Sequence, residues 1–301
     1  NYNIKSDAVV ILYLGRLSFH AKANPYQMYK ALSEVARGVK QEIILVECGW
    51  FSTTYISEAF EDAFNRICTE TNIKRFVLNG TDSDKKRDAL TMSDIFISLS
   101  DNIQETFGIT PLEAMGSGIP VIVSDWNGYK ETVDRKCGFR IPTVMPNSGL
   151  GSDIINRYAL GIDDYDQYLG NVSNFVSVCQ QTLINSLKTL VTNTTLRSKL
   201  GRAGAQHATS YDWSRIIPQY KTLWQELGDM RKKASSQSKI VWAERLDPYK
   251  SFNNYSSRKL IGSDVLFSVH TNPAKNREEL EKVLDLVLTS YRLSVTGSRK
   301  E

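Results

Sequence analysis

The sequence is poor in the residues that mark several protein classes. Its 301 positions hold four cysteines, Cys48, Cys68, Cys137 and Cys179, with no short spacing between any two. That excludes a disulfide framework and a zinc pattern, and it fits a reducing compartment. The three histidines, His20, His207 and His270, are too far apart for a local metal cluster. No run approaches the ~18 to 20 consecutive apolar residues of a membrane span, which excludes transmembrane topology. The 37 basic and 33 acidic residues leave a formal charge of +4. So small an excess does not point to nucleic acid, although it suits an anionic ligand or an acidic membrane surface. No Gly-x-Gly-x-x-Gly follows the first strand pattern and no Walker loop is present, which argues against a dinucleotide or P-loop site. Tripeptides at Asn171, Asn193 and Asn254 match the glycosylation sequon, but no signal-peptide pattern accompanies them. The chain opens at Asn1 rather than Met. The expectation is a shortened chain or the later part of a longer polypeptide, cytoplasmic and at most peripheral to a membrane.

What is present is the composition of a globular protein, 41% hydrophobic and 23% charged. The first half alternates strand and helix patterns. Apolar runs at Val9–Leu14, Ile43–Glu47, Lys74–Leu78, Asp94–Leu99, Pro120–Ser124 and Gly138–Pro142 predict buried parallel strands. Helical spacing falls between them, at Tyr26–Val39 and Thr54–Cys68. Repeated β-α units predict an α/β fold, a doubly wound parallel sheet, followed by C-terminal helices. Those helices are Val172–Val191, Thr195–Leu200 and Trp213–Leu227, the last with Pro218 as a kink or restart. Arg231–Lys239 is a basic, polar stretch that reads as a linker or solvated face, with membrane-surface contact as its alternative. Val265–Val269 and Arg277–Leu293 carry a further apolar run and a helix pattern.

The chemistry is concentrated between Glu105 and Val121. Thr110, Pro111 and Glu113 stand as N-cap, first helical residue and third residue after the cap; Gly118 ends the helix and Pro120 prevents its continuation. The N-terminus of such a helix, at the carboxyl edge of the sheet, offers free N–H groups and a dipole to phosphate. Gly108 lets a ligand approach the main chain. On spacing alone the favoured role of Glu113 is a capping box with Thr110, and that of Glu105 a solvated loop carboxylate. Gly15-Arg16-Leu17-Ser18 and Lys22 leave the first strand. In strand order 3-2-1-4-5-6 the first and fourth strands are neighbours, and the crevice between their carboxyl ends takes ligands. Arg16 and Lys22 then face Glu105–Glu113 across it, a guanidinium fork and a point charge suited to a diphosphate. His20 reads as a loop histidine.

Glu105 and Glu113, with seven residues between them and followed by Ala114-Met115-Gly116-Ser117-Gly118-Ile119-Pro120-Val121, resemble the E-x7-E motif of retaining glycosyltransferases of the GT-B fold, family 4. Gly15-Arg16-Leu17-Ser18 with Lys22 is similar to that family's phosphate-binding arginine and lysine. Ser124-Asp125-Trp126-Asn127-Gly128-Tyr129-Lys130-Glu131 and Tyr211-Asp212-Trp213 resemble its later segments. The likeness spans roughly residues 8–227. It implies a nucleotide-sugar donor domain over 1–228, an extension of unknown role over 229–301, and an acceptor domain absent from this chain. It implies Arg16, Lys22 and Glu105 as catalytic residues, the cations holding the donor diphosphate and Glu105 facing the sugar. It implies donor contacts at Gly15, Phe107, Gly108, Ile109, Thr110, Leu112 and Glu113, with Glu113 on the ribose, and a base against Asn79 and Gly80. It implies no metal and no cofactor, a nucleoside-diphosphate sugar as donor, and a carbohydrate or lipid-linked acceptor. A sugar-nucleotide epimerase, a phosphorylase and a non-catalytic nucleotide-binding module are the rival readings. A phosphorylase needs a pyridoxal-phosphate lysine for which no motif is present.

Overall fold

The structure, a computed structural model, describes residues 4–233 and 247–261. The chain alternates β1 (Val9–Leu14), α1 (Pro25–Gly38), β2 (Ile43–Gly49), α2 (Thr54–Cys68), β3 (Lys74–Asn79), α3 (Ser83–Thr91), β4 (Ile95–Ser98), α4 (Ile109–Gly116), β5 (Val121–Ser124), α5 (Tyr129–Thr132) and β6 (Gly138–Ile141). Then follow β7 (Thr143–Met145), α6 (Ser152–Ala159), α7 (Tyr165–Ser173), β8 (Ser177–Val178), α8 (Gln180–Thr192), α9 (Thr194–Ala208), α10 (Trp213–Lys233), α11 (Pro248–Ser251) and β9 (Arg258–Lys259). Strands β1 to β6 form one parallel sheet in the order β3-β2-β1-β4-β5-β6, the arrangement the sequence predicts.

The period-2 geometry of a strand sorts its side chains to two faces. Val9, Ile11 and Tyr13 of β1 pack with Met28, Leu32 and Val35 of α1, Phe60 and Ala63 of α2, and Leu183 and Leu187 of α8. Val10, Leu12 and Leu14 pack on the opposite face with Ala89 of α3, Ala114 and Met115 of α4, and Tyr129 of α5. Every residue of β1, β2, β4 and β5 is buried, as expected where helices cover both faces of a parallel sheet. Each large aliphatic side chain so buried contributes about 1.5–3 kcal/mol. The helix starts follow their local chemistry: Asn24 accepts from the Tyr26 N–H at 3.0 Å ahead of Pro25, and Thr53 accepts from the Ile56 N–H at 3.2 Å.

Several expectations need correction. The single helix Val172–Val191 is two helices, α7 and α8, separated by β8. Helical periodicity survives across the break, but residues 177–178 gain an antiparallel pairing with β7 that a continuous helix would forgo. Of the two roles expected of Pro218, a restart is not what forms, since α10 runs as one helix from Trp213 to Lys233; a proline there forgoes one backbone hydrogen bond. Arg231, Lys232 and Lys233 are helical and exposed, in keeping with a solvated face, and residues 234–239 of that stretch lie outside the described residues. The boundary placed at residue 228 falls inside α10. Residues 247–260 return to the first compact unit, 1–260, where Tyr249 and Tyr255 join Trp126, Met145 and Leu169 in a third core cluster. There β9 also pairs with β7. The patterns at Val265–Val269 and Arg277–Leu293 lie outside the described residues. α10 buries none of its side chains and exposes Trp213, Ile217, Tyr220, Trp224 and Leu227. No helix among the described residues is long and apolar enough to cross a membrane.

Candidate active site

Parallel pairing of Ile11 with Ile95 and Leu12 with Phe96 sets the carboxyl ends of β1 and β4 side by side. The loop after β1 is sewn to the loop after β4 by three consecutive residues. Ser100 donates to the Lys22 carbonyl at 3.1 Å, Asp101 accepts from the Asn24 N–H at 3.4 Å, and the Asn102 amide donates to the His20 carbonyl. Asp101 is fully buried, and burial pushes its carboxyl up to about 7, well above the usual carboxylate range.

Arg16, Ala21, Lys22, Ser100, Asn102, Gln104 and Glu105 line one cavity of about 230 Å³. The Arg16 guanidinium donates to the Ala21 carbonyl at 2.9 Å and to Gln104 Oε1 at 3.2 Å, with the Trp50 ring 6.0 Å away. The Lys22 ammonium is ion-paired with Glu105 Oε2. A Cβ on Gly15 would stand 3.4 Å from Lys22 Cε, so this position adjoins the lysine stem. The three residues expected to be catalytic are therefore together.

The donor-binding residues divide. Phe107, Ile109, Leu112 and Glu113 line a different and larger groove, about 1440 Å³, whose far wall is the end of α9 and the start of α10. Tyr211, in the turn between α9 and α10, meets this wall, its ring 6.1 Å from that of Phe107. Asn79 and Gly80 border neither opening. Asn79 Oδ1 accepts from the Thr81 N–H at 3.0 Å and closes the turn after β3, while Gly80 stacks so tightly on Gly49 that a Cβ would lie 2.8 Å from the Gly49 Cα. His20 faces Asp166 of α7 at 3.6 Å.

The capping expectation is overturned. Helix α4 begins at Ile109, its N-cap is Gly108, and no side chain caps it. Thr110 lies one residue inside the helix with its Oγ1 buried and without a partner among the described residues. Gly108 has φ 79°, a left-handed conformation that glycine takes without strain. Glu113, freed from capping, ion-pairs with Lys86 of α3 at 2.5 Å through Oε1, while Oε2 is buried without a partner among the described residues. The C-terminal end agrees with expectation: Gly118, with φ 77°, donates to the Met115 carbonyl at 2.9 Å and closes the helix.

Three contributors went unnoticed in the sequence. Gln104 bridges to Arg16, Lys86 holds Glu113, and Tyr129 donates to Glu105 Oε2 at 3.3 Å from beneath the sheet edge. Lys86 sits on a helix that buries only Ala89, so it has no hydrophobic period to announce it. Among the described residues no group of three or more His, Cys, Asp or Glu side chains could hold a metal ion.

Residues 1–147 match the family described as glycosyl transferases group 1. That segment is therefore similar to group 1 glycosyltransferases. No curated protein sequence matches the chain. Among solved structures, a glycosyltransferase from Rickettsia africae aligns with 75% of this chain and 49% of its own at 18% identity, with a TM-score of 0.50. Sucrose-phosphate synthase from Thermosynechococcus elongatus aligns over 76% and 47% at 16% identity, TM-score 0.49. The Anabaena protein HepE, solved with UDP and glucose, aligns over 74% and 49% at 17% identity, TM-score 0.45. The chain thus spans about half the length of these proteins. The likeness is one of fold: a six-stranded parallel sheet flanked by helices, Rossmann-like as in GT-B glycosyltransferases.

Proposed function

We propose that this chain is the donor domain of a retaining glycosyltransferase of family 4, binding a nucleoside-diphosphate sugar at the β1–β4 crevice. The observation that carries the proposal is the meeting of Arg16 and Lys22, from the loop after β1, with Glu105, from the loop after β4, around one cavity. In this reading the diphosphate lies between the two cations and the uncapped N–H groups at the start of α4. The ribose reaches Glu113, whose orphaned Oε2 it satisfies, and the sugar faces Glu105.

The chemistry follows from charge. The anomeric carbon gains positive charge as its bond to the diphosphate oxygen breaks, and the bonding pair goes to that oxygen. The acceptor oxygen forms the new bond on the same face and gives its proton to a donor phosphate oxygen. Arg16, Lys22 and the α4 dipole stabilise the departing diphosphate more than the bound ground state, which is what lowers the barrier. They take the part of a divalent metal, so binding is expected to survive chelation by EDTA. The acceptor, a carbohydrate or a lipid-linked sugar, is held by a first domain outside this chain, and this chain alone transfers little sugar.

Calorimetric titration with uridine, guanosine and adenosine diphosphates tests the reading. One of the three should bind, and Arg16→Ala should weaken it by about 2–3 kcal/mol, the worth of a charge-assisted hydrogen bond. Heat from none of them, or full affinity in the variant, would overturn it.

A further inference from the structure

The segment after β5 lies against the loop that carries Glu105, and its residues from Trp126 to Tyr129 each hold that loop. The Trp126 indole N–H donates to the Asn102 carbonyl at 3.0 Å. Asn127, at φ 33°, a left-handed backbone that non-glycine residues seldom adopt, donates through its side-chain amide to the Glu105 carbonyl at 2.8 Å. A Cβ on Gly128 would stand 2.3 Å from the Thr106 carbonyl oxygen, so the loop rests on bare backbone there. Tyr129 comes last and does two things. Its ring fills the space under Gly108, where an added Cβ would come within 2.1 Å of the ring edge. Its hydroxyl sits between Ser98 Oγ at 2.9 Å and Glu105 Oε2 at 3.3 Å.

Both partners of the Glu105 carboxylate, Tyr129 and Lys22, end on Oε2; among the described residues no hydrogen bond ends on Oε1. A phenol has one proton, so with that proton on Glu105 the Ser98 hydroxyl donates to Tyr129. The order is then Ser98 to Tyr129 to Glu105, with Lys22 closing the other side. Burial, and next the Glu105 charge, push the phenol well above its ordinary value, so the donor is kept through the physiological range.

We infer that Tyr129 is a positioning residue with two separable jobs: its hydroxyl orients the Glu105 carboxylate so that Oε1 faces the donor sugar, and its ring sets the height of Gly108 and the first turn of α4. The sugar half of this inference rests on the proposed function. The orientation of Glu105 in the free protein does not.

The two jobs come apart in Tyr129→Phe, which keeps the ring and loses the hydroxyl. The Phe variant strands the buried Ser98 hydroxyl, so Ser98→Ala/Tyr129→Phe is made beside it to remove the orphan. Crystal structures of the unaltered chain and both variants, without ligand, are expected to show the Glu105 carboxylate rotated away in the variants and the Gly108 backbone unmoved. Glu105 kept in its original rotamer in both variants overturns the inference, whether or not the chain binds any nucleotide. The second readout is the affinity for uridine, guanosine or adenosine diphosphate against that for the matching diphosphate glucose. The hydroxyl's loss should weaken the sugar-bearing ligand about tenfold and leave the bare diphosphate within about twofold, as expected for one hydrogen bond to a charged group. Equal weakening of both ligands would mark a general loss of structure and overturn the separation of the two jobs. Failure of the unaltered chain to bind any diphosphate would count against the proposed function alone, since the ligand-free crystals still decide the orientation of Glu105.

Discussion

The Lys22 ammonium and the Glu105 carboxylate, from loops on opposite sides of the β1–β4 crevice, are ion-paired with little exposure of either. Each therefore occupies the other's binding capacity. A diphosphate that recruits Lys22 must draw it from Glu105, so part of the binding energy is spent on breaking a half-buried pair.

Glu105→Gln removes that competition. The variant should bind the bare nucleoside diphosphate more tightly than the unaltered chain, by roughly 0.5–1.5 kcal/mol on the scale of a partly exposed ion pair. In a complete enzyme the same change should lower kcat. Calorimetry on the two chains checks the first part; weaker diphosphate binding in the variant would mean that Glu105 and the phosphates do not compete for Lys22.

Glu113 is a test of what its orphaned oxygen awaits. If Oε2 receives ribose hydroxyls, Glu113→Gln should weaken a nucleoside diphosphate by about 1–2 kcal/mol while leaving inorganic pyrophosphate untouched. Parallel titrations with the two ligands make the distinction, and equal losses would place Glu113 on the phosphates.

Asp101 predicts a pH dependence. Burial raises its carboxyl to about 7 from an ordinary 3.8, so the folded state holds a proton that the unfolded chain releases. The stability this contributes is complete below about pH 4 and is lost as the pH rises through about 7. Asp101→Asn can still accept the Asn24 N–H and carries no charge to bury. Between pH 5 and pH 8 the stability of the variant relative to the unaltered chain should therefore improve by on the order of 2 kcal/mol, read by urea denaturation. A difference that does not change over that range would put the Asp101 proton elsewhere. Because Asp101 ties the loop that carries Lys22, nucleotide affinity should be measured over the same range.

The strands and the central helices were legible because burial on both faces of a parallel sheet writes long apolar runs, as at Val9–Leu14, and because α2 carries its stripe from Thr54 to Cys68 without a break. What the sequence hid was arranged by long-range contact. Residues 177–178 read as helix because their strand partner, β7, lies more than thirty residues earlier. The Thr110–Glu113 spacing satisfied a capping rule, yet the tight seat of Gly108 on Tyr129 starts α4 two residues sooner and releases Glu113 to Lys86. Arg16, Lys22 and Glu105 could be gathered from sequence because strand order alone brings their loops together. Tyr129 could not, since its spacing reads as an ordinary core aromatic and only the hydroxyl's two partners give it more to do.

The most direct measurement is a crystal structure of this chain soaked with the nucleotide sugar whose diphosphate it binds. The account predicts pyrophosphate density between the Arg16 guanidinium, the Lys22 ammonium and the first N–H groups of α4, with the ribose at Glu113 and the sugar at Glu105. Density for the pyrophosphate away from Arg16 and Lys22, with their present partners retained, would contradict it.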